Sequence, residues 1–220
     1  MNIRIATKTE HLYMYAQSQQ LSMQSGLIGH LRADMDSNGE AFLSTWWGFR
    51  DSLKTQEFKD EFDSVIASLR TDEAPNFLKN RTALSKFCYS HLDALIEGNS
   101  YGVRVDTDNY TYMMRLNPNK GEYNLYCYCY KREWLDRNIK NAEKGIRFID
   151  SNYKTLFTIP DGGKIRITYS DGTVEERTCR YIDEYHTQVG HGWMSDFHIC
   201  QFAEFMEEKG YKYEPVNGEK

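Results

Sequence analysis

The stretch Val103-Arg104-Val105-Asp106-Thr107-Asp108-Asn109-Tyr110-Thr111-Tyr112-Met113-Met114-Arg115-Leu116 decides the fold class. Val103, Val105, Tyr110, Tyr112, Met114 and Leu116 alternate with their neighbours, as in strands that bury one face. Asp106 to Asn109 favour a turn, because short Asx side chains bond their own backbone. Asn117-Pro118-Asn119-Lys120-Gly121 is a second turn signal, and Tyr123 to Tyr130 reads as a third strand. Strands joined by such short connections predict an antiparallel meander.

Helical periods flank the meander. Before it, Phe58, Phe62, Val65, Ile66 and Leu69 recur at spacings of three and four, with Thr55 as a possible cap. Glu73-Ala74-Pro75-Asn76 breaks that pattern. Thr82 can then cap a second helix, with an apolar face of Leu84, Phe87, Cys88, His91, Leu92 and Leu95 and a stop at Gly98. After the meander, Glu133 to Lys144 reads as a helix closed by Gly145. Nearer the start, residues 2–6 and 28–32 read as short strands, 10–23 as a helix capped by Thr9, and 42–47 as an aromatic strand.

Composition shifts near Asp150-Ser151-Asn152, which we take as a domain boundary. Beyond it lie strand patterns at 156–159, 164–169, 173–181 and 185–189, with Ser170-Asp171-Gly172 as a hairpin signal, then a helix over 197–209 stopped by Gly210. The expectation is an α+β protein: a mixed domain over 1–150, and a small β-rich domain with a terminal helix over 151–220.

The chain has 220 residues, 27% of them charged and 14% aromatic, with a net charge of −5. This composition excludes collagen, long disorder and a strongly acidic DNA mimic. The charge is unevenly placed: residues 151–220 carry 8 basic and 12 acidic side chains, and residues 1–150 carry 19 and 20. No apolar run reaches the roughly 20 residues of a membrane helix, and the start of the chain has no signal-like apolar segment. Five cysteines without a CxxC pair fit reduced thiols. The expectation is a cytoplasmic protein with no membrane partner.

Two metal patterns were weighed. Asp34-Met35-Asp36-Ser37-Asn38-Gly39 matches the start of a calcium loop, but its twelfth position is Thr45 instead of a bidentate Glu, and a polar turn explains it better. Cys127, Cys129, Cys179, Cys200, His186, His191 and His198 are zinc-type residues at spacings unlike those of structural zinc sites; buried thiols acting as small hydrophobes account for them. Asp106 and Asp108 read as turn chemistry. No nucleophile elbow, HExxH or phosphate loop occurs. We therefore expect no catalytic residues, no metal and no cofactor, and a protein that is not an enzyme.

A basic surface stands out. Lys131, Arg132, Arg137, Lys140, Lys144 and Arg147 cluster around the 133–144 helix, with Arg137, Lys140 and Lys144 on one face and Trp134 beside them. Such a stripe can neutralise phosphates or meet an acidic protein groove; the alternative is a solvated face with some ion pairs. Tyr13, Tyr15, Trp46 and Trp47 are further aromatic anchors, equally compatible with a core.

Two sets of residues carry a resemblance. Asn2 to Lys8, Gly29-His30-Leu31-Arg32, Glu133-Trp134-Leu135-Asp136-Arg137 and Lys144-Gly145-Ile146-Arg147-Phe148-Ile149 resemble small accessory proteins of conjugative elements, plasmids and prophages of gut Firmicutes. Asp171-Gly172, Thr178-Cys179-Arg180-Tyr181-Ile182-Asp183 and His198 to Glu204 are similar to small domains appended to large polyvalent proteins of the same elements. Together they span most of the chain, and their motifs are structural in look. The resemblance implies a setting in which accessory proteins manage host defence, some by inhibiting Cas9. The expected function is an anti-CRISPR one: binding a host defence protein, Cas9 or its guide RNA complex, and blocking its nucleic-acid surface. The alternative is a DNA-binding accessory factor of conjugation or phage replication.

Overall fold

A computed structural model describes residues 1–11, 26–36, 39, 41–43, 56–67, 69–119, 121–183, 185–190 and 196–216. The expected α+β class is what it shows: antiparallel sheets with packed helices. The chain forms two compact units, one of Met1–Lys8 and Ser25–Leu135, the other of Thr9–Gln24 and Asp136–Lys220. Asp150-Ser151-Asn152, read above as a boundary, is a hairpin turn in which the Asp150 carboxylate accepts from the backbone N–H of Asn152 and Lys154.

In the first unit, β1 (Asn2–Ile5), β2 (Leu27–Met35), β3 (Ala41–Leu43), β4 (Val103–Asp106), β5 (Tyr110–Asn119) and β6 (Glu122–Lys131) form one six-stranded sheet. Its order is β1-β4-β5-β6-β2-β3. The central β4–β5–β6 run is the expected meander, with Val105 opposite Tyr112 and Met114 opposite Cys127. Alternation then sends Val103, Val105, Tyr112, Met114, Leu116, Leu125, Cys127 and Cys129 to one face, where they are buried. That face packs with residues of α1 (Gln56–Ala67), α2 (Arg81–Ser90) and α3 (Leu92–Leu95). Phe62, Ile66 and Leu69, three and four apart, are fully buried, each contributing about 1.5–3 kcal/mol of transfer energy.

Two helix details differ from the sequence reading. The cap of α2 is Asn80, not Thr82: the Asn80 Oδ1 accepts from the backbone N–H of Ala83 at 2.9 Å, and Thr82 is exposed inside the helix. The expected single helix over 82–95 also breaks at His91, whose backbone leaves the helical region and whose Nδ1 sits 2.9 Å from the Phe87 carbonyl. The expected 10–23 helix lies outside the described residues apart from its first two positions. So do Thr55 and residues 44–47 of the aromatic strand.

The opposite sheet face is polar and aromatic, and it too is largely buried. The Arg104 Nε donates to the Asp106 Oδ1 at 2.8 Å, and the Thr111 hydroxyl donates to the same oxygen at 2.7 Å. Tyr126 receives the Arg115 guanidinium at 4.9 Å and that of Arg32 at 5.5 Å. Rings of His30, Tyr128, Tyr130 and Trp134 stack in succession.

α4 (Arg132–Ala142) follows β6, and the division between the units falls within it. The second unit has a hairpin of β7 (Ile146–Ile149) and β8 (Thr155–Ile159). A five-stranded sheet joins β9 (Lys164–Thr168), β10 (Val174–Tyr181), β11 (His186–Val189), β12 (Asp196–His198) and β13 (Lys212–Pro215) in the order β12-β11-β10-β9-β13. α5 (Ile199–Glu208) turns Phe202, Ala203 and Met206 inward. Phe202 meets Phe148 edge-on at 5.7 Å and Tyr213 at 5.2 Å, and the Tyr213 hydroxyl donates to the Ile149 carbonyl at 2.8 Å. The sequence does not signal β7, β12 or β13, and the helix expected over 197–209 begins at Ile199, with Phe197 and His198 in β12. Among the described residues, no helix is long and apolar enough to cross a membrane.

Candidate functional site

The seven residues of the expected binding surface fall into two groups. Lys131, Arg132 and Trp134 belong to the first unit. Lys131 is exposed at the end of β6, and its backbone N–H donates to the Gly26 carbonyl. The Arg132 Nη1 donates to the Thr107 carbonyl at 2.9 Å, and its backbone N–H to the Asn109 carbonyl at 2.8 Å, tying the start of α4 to the β4–β5 turn. The Trp134 indole lies parallel to the Tyr130 ring, 7° between planes, and packs against Gly26. Arg132 and Trp134 are thus engaged in the packing of their own unit.

Arg137, Lys140, Lys144 and Arg147 belong to the second unit, and all four are exposed. Arg137 and Lys140 lie three apart on α4, and Lys144 follows just past its end. Among the described residues none of the four pairs with a carboxylate. The Lys144 Nζ donates to the Asn141 Oδ1 at 3.0 Å.

Lys144 and Arg147 also line a cavity of about 370 Å³ within this unit. Arg147 reaches it from β7, where it sits opposite Thr158, another lining residue. Asn141 and Tyr181 add polar groups, and Ile146 and Ile199 an apolar wall. The turn into β7 is made by Gly145 at a φ of +90°; a Cβ there would come within 2.5 Å of the Ile159 carbonyl oxygen, so the close approach requires glycine.

The far side of the cavity holds Asp183 and His186. The Asp183 Oδ1 accepts from the backbone N–H groups of Tyr185 and His186, at 2.8 and 2.9 Å, and lies 3.0 Å from the His186 Nδ1. A carboxylate only accepts, so Nδ1 carries the proton it donates, and Nε2 is the ring's remaining bonding position. Asp183 is the one carboxylate among the described lining residues, and these bonds occupy it. The cavity therefore presents two cations and several neutral polar groups against one hydrogen-bonded carboxylate, a balance that favours an anion.

The sequence reading considered His186 only as a zinc-type residue and passed over Asn141, Thr158, Tyr181 and Asp183 as site residues. The available signal was Asp183-Glu184-Tyr185-His186, an Asx turn that brings a carboxylate to an imidazole three residues on.

The metal patterns resolve into packing. Asp34 and Met35 continue β2, and the Gly39 N–H donates to the Asp36 carbonyl at 3.0 Å; Thr45 lies outside the described residues. Cys127 and Cys129 are buried in the first unit's core. Burial pushes the Cys129 thiol up to about 11 and those of Cys88 and Cys179 to about 12, and raises Cys127 as well, as for thiols packed as small hydrophobes. His198 stacks on Tyr185 and meets His186 edge-on, and His191 lies outside the described residues. Among the described residues, no three His, Cys, Asp or Glu side chains gather as a metal site would need. Tyr13, Tyr15, Trp46 and Trp47 also lie outside the described residues.

Comparison of the chain with family models, with curated proteins and with solved structures finds no match.

Proposed function

We propose that this chain is a non-enzymatic binding protein that engages nucleic acid through Arg137, Lys140, Lys144 and Arg147. The observation that carries this reading is that four exposed cations, close in sequence on one unit, have no carboxylate partner among the described residues. The chain as a whole is acidic, so this positive patch runs against the net charge of −5. At a rise of about 1.5 Å per residue, Arg137 to Lys144 covers about 10 Å, enough to meet several phosphates of a strand.

The test is binding to a short oligonucleotide over a range of salt. Four phosphate contacts give a log–log slope of about −3 on single strands and about −3.5 on duplex. Each change among Arg137→Ala, Lys140→Ala and Lys144→Ala should flatten the slope by a little under one. An absence of binding at low salt removes the reading.

The resemblance noted from the sequence supports a narrower form, in which the nucleic acid is the guide RNA complex of a host Cas9 and the chain acts as an anti-CRISPR. Its test is DNA cleavage by Cas9 with the chain in large molar excess; undiminished cleavage rejects it while leaving the broader reading in place.

A further inference from the structure

We infer that the cavity between α4, β7 and the Asp183–His186 turn is a phosphomonoester site, which takes the terminal phosphate of a strand or the phosphate of a free mononucleotide. The strand form rests on the nucleic-acid reading above; the site itself rests on the cavity.

The volume is of the right order, since small-molecule sites run from about 300 to 1,000 Å³ and this cavity measures about 370 Å³. Charge selects the group. A phosphate monoester carries about −1.5 to −2 at neutral pH with three acceptor oxygens, more than the single charge of a phosphodiester. Lys144 and Arg147 supply two cations that no carboxylate neutralises among the described residues. The Arg147 fork suits two phosphate oxygens at once, and Lys144 acts as a point charge.

The neutral groups fit the same ligand. Lys144 occupies the Asn141 Oδ1, which leaves the Asn141 amide N–H groups as donors, and Thr158 lines the same cavity from β8. The His186 ring, which lines the cavity, is fixed through Nδ1 by Asp183, so its orientation is set. Carbonyls at the end of a helix oppose an anion, but here those of Ile139, Asn141 and Ala142 already accept the N–H groups of Glu143, Lys144 and Gly145. Ile146 and Ile199 offer apolar surface to a sugar or base.

The experiment uses the full chain and one single-stranded oligonucleotide made with either a 5′-phosphate or a 5′-hydroxyl, with AMP and adenosine as competitors. The phosphorylated strand should bind about tenfold tighter, and AMP but not adenosine should erase that advantage. Arg147→Met should abolish the preference, Arg147→Lys should restore part of it, and Lys140→Ala should weaken both strands equally with the ratio kept. Thermal melts of each variant confirm folding. Equal binding of the two strands with no competition by AMP overturns the phosphomonoester site and leaves the nucleic-acid reading standing. Binding of AMP with neither strand bound supports the site and rejects the nucleic-acid reading. No binding of AMP or of either strand overturns both.

Discussion

Gly26 lies against the indole of Trp134 so closely that a Cβ on Gly26 would come within 2.0 Å of the ring. Gly26 is not at positive φ, so its constraint is steric and comes from the tryptophan. Gly26→Ala should cost about 1–3 kcal/mol, as overpacking does. Trp134→Leu should cost stability by itself yet remove most of the penalty of Gly26→Ala, because the clashing ring is gone. Urea unfolding of the two single variants and the double variant measures this coupling; additive costs would show that the contact is not the cause.

Arg104 and Asp106 form an ion pair whose side chains are only 4% and 7% exposed. Asp106→Ala removes the buried carboxylate to which the Arg104 Nε donates and should cost about 3–5 kcal/mol. Arg104→Met combined with Asp106→Leu should be less damaging than Asp106→Ala alone, since both charges of the pair are removed together. Denaturant midpoints decide between these outcomes.

Glu73 reaches across to Asn109 in the β4–β5 turn. Its carboxylate accepts from the Asn109 backbone N–H at 2.8 Å and also from the Asn109 side-chain amide. The Asn109 N–H, then the Thr107 hydroxyl, hold the carboxyl below its ordinary value. A carboxyl lowered by folding adds stability above its unfolded value of about 4.3, and that stability is lost as pH falls through the lowered folded value. Glu73→Gln should therefore melt earlier than the parent at neutral pH, and the two Tm curves should converge in acid. A constant gap at all pH values would mean that the charge plays no part.

Cys88, Cys127, Cys129 and Cys179 are buried and Cys200 is partly exposed. Brief alkylation of the folded protein should modify Cys200 first, with the other four reacting only after denaturation. Peptide mass mapping reads the order; early labelling of Cys127 or Cys129 would contradict the core described above.

The meander was legible because Val103 to Leu116 alternate and the turns between the strands are rich in Asx, Pro and Gly, all of which are local signals. The inward face of α1 was legible for the same kind of reason. β7 and β13 escaped because each is only four residues long, and β13 ends on Pro215, which weighs against a strand. The break at His91 is a change of backbone angle at one residue inside a continuous apolar pattern, which spacing does not reveal. At the site, the cations were visible as a cluster in sequence. Their grouping with Thr158, Asp183 and His186 depends on how the strands and turns of the second unit come together, and no local pattern encodes that.

The order of strands in the first sheet sets a schedule for making it. β1 and β2 come off the ribosome early, yet Ile3 waits for Val105 and Leu31 for Cys127. Closing loops of roughly 100 residues costs about 4 kcal/mol in chain entropy, whereas β4, β5 and β6 can zip from their own tight turns. The nascent chain therefore carries β1 and the β2–β3 pair detached from the meander until β6 has emerged. Release before Lys131 would leave the apolar faces of α1 and α2 without a complete sheet to cover them, so a stalled or clipped product of this gene is a natural client for chaperones and proteases.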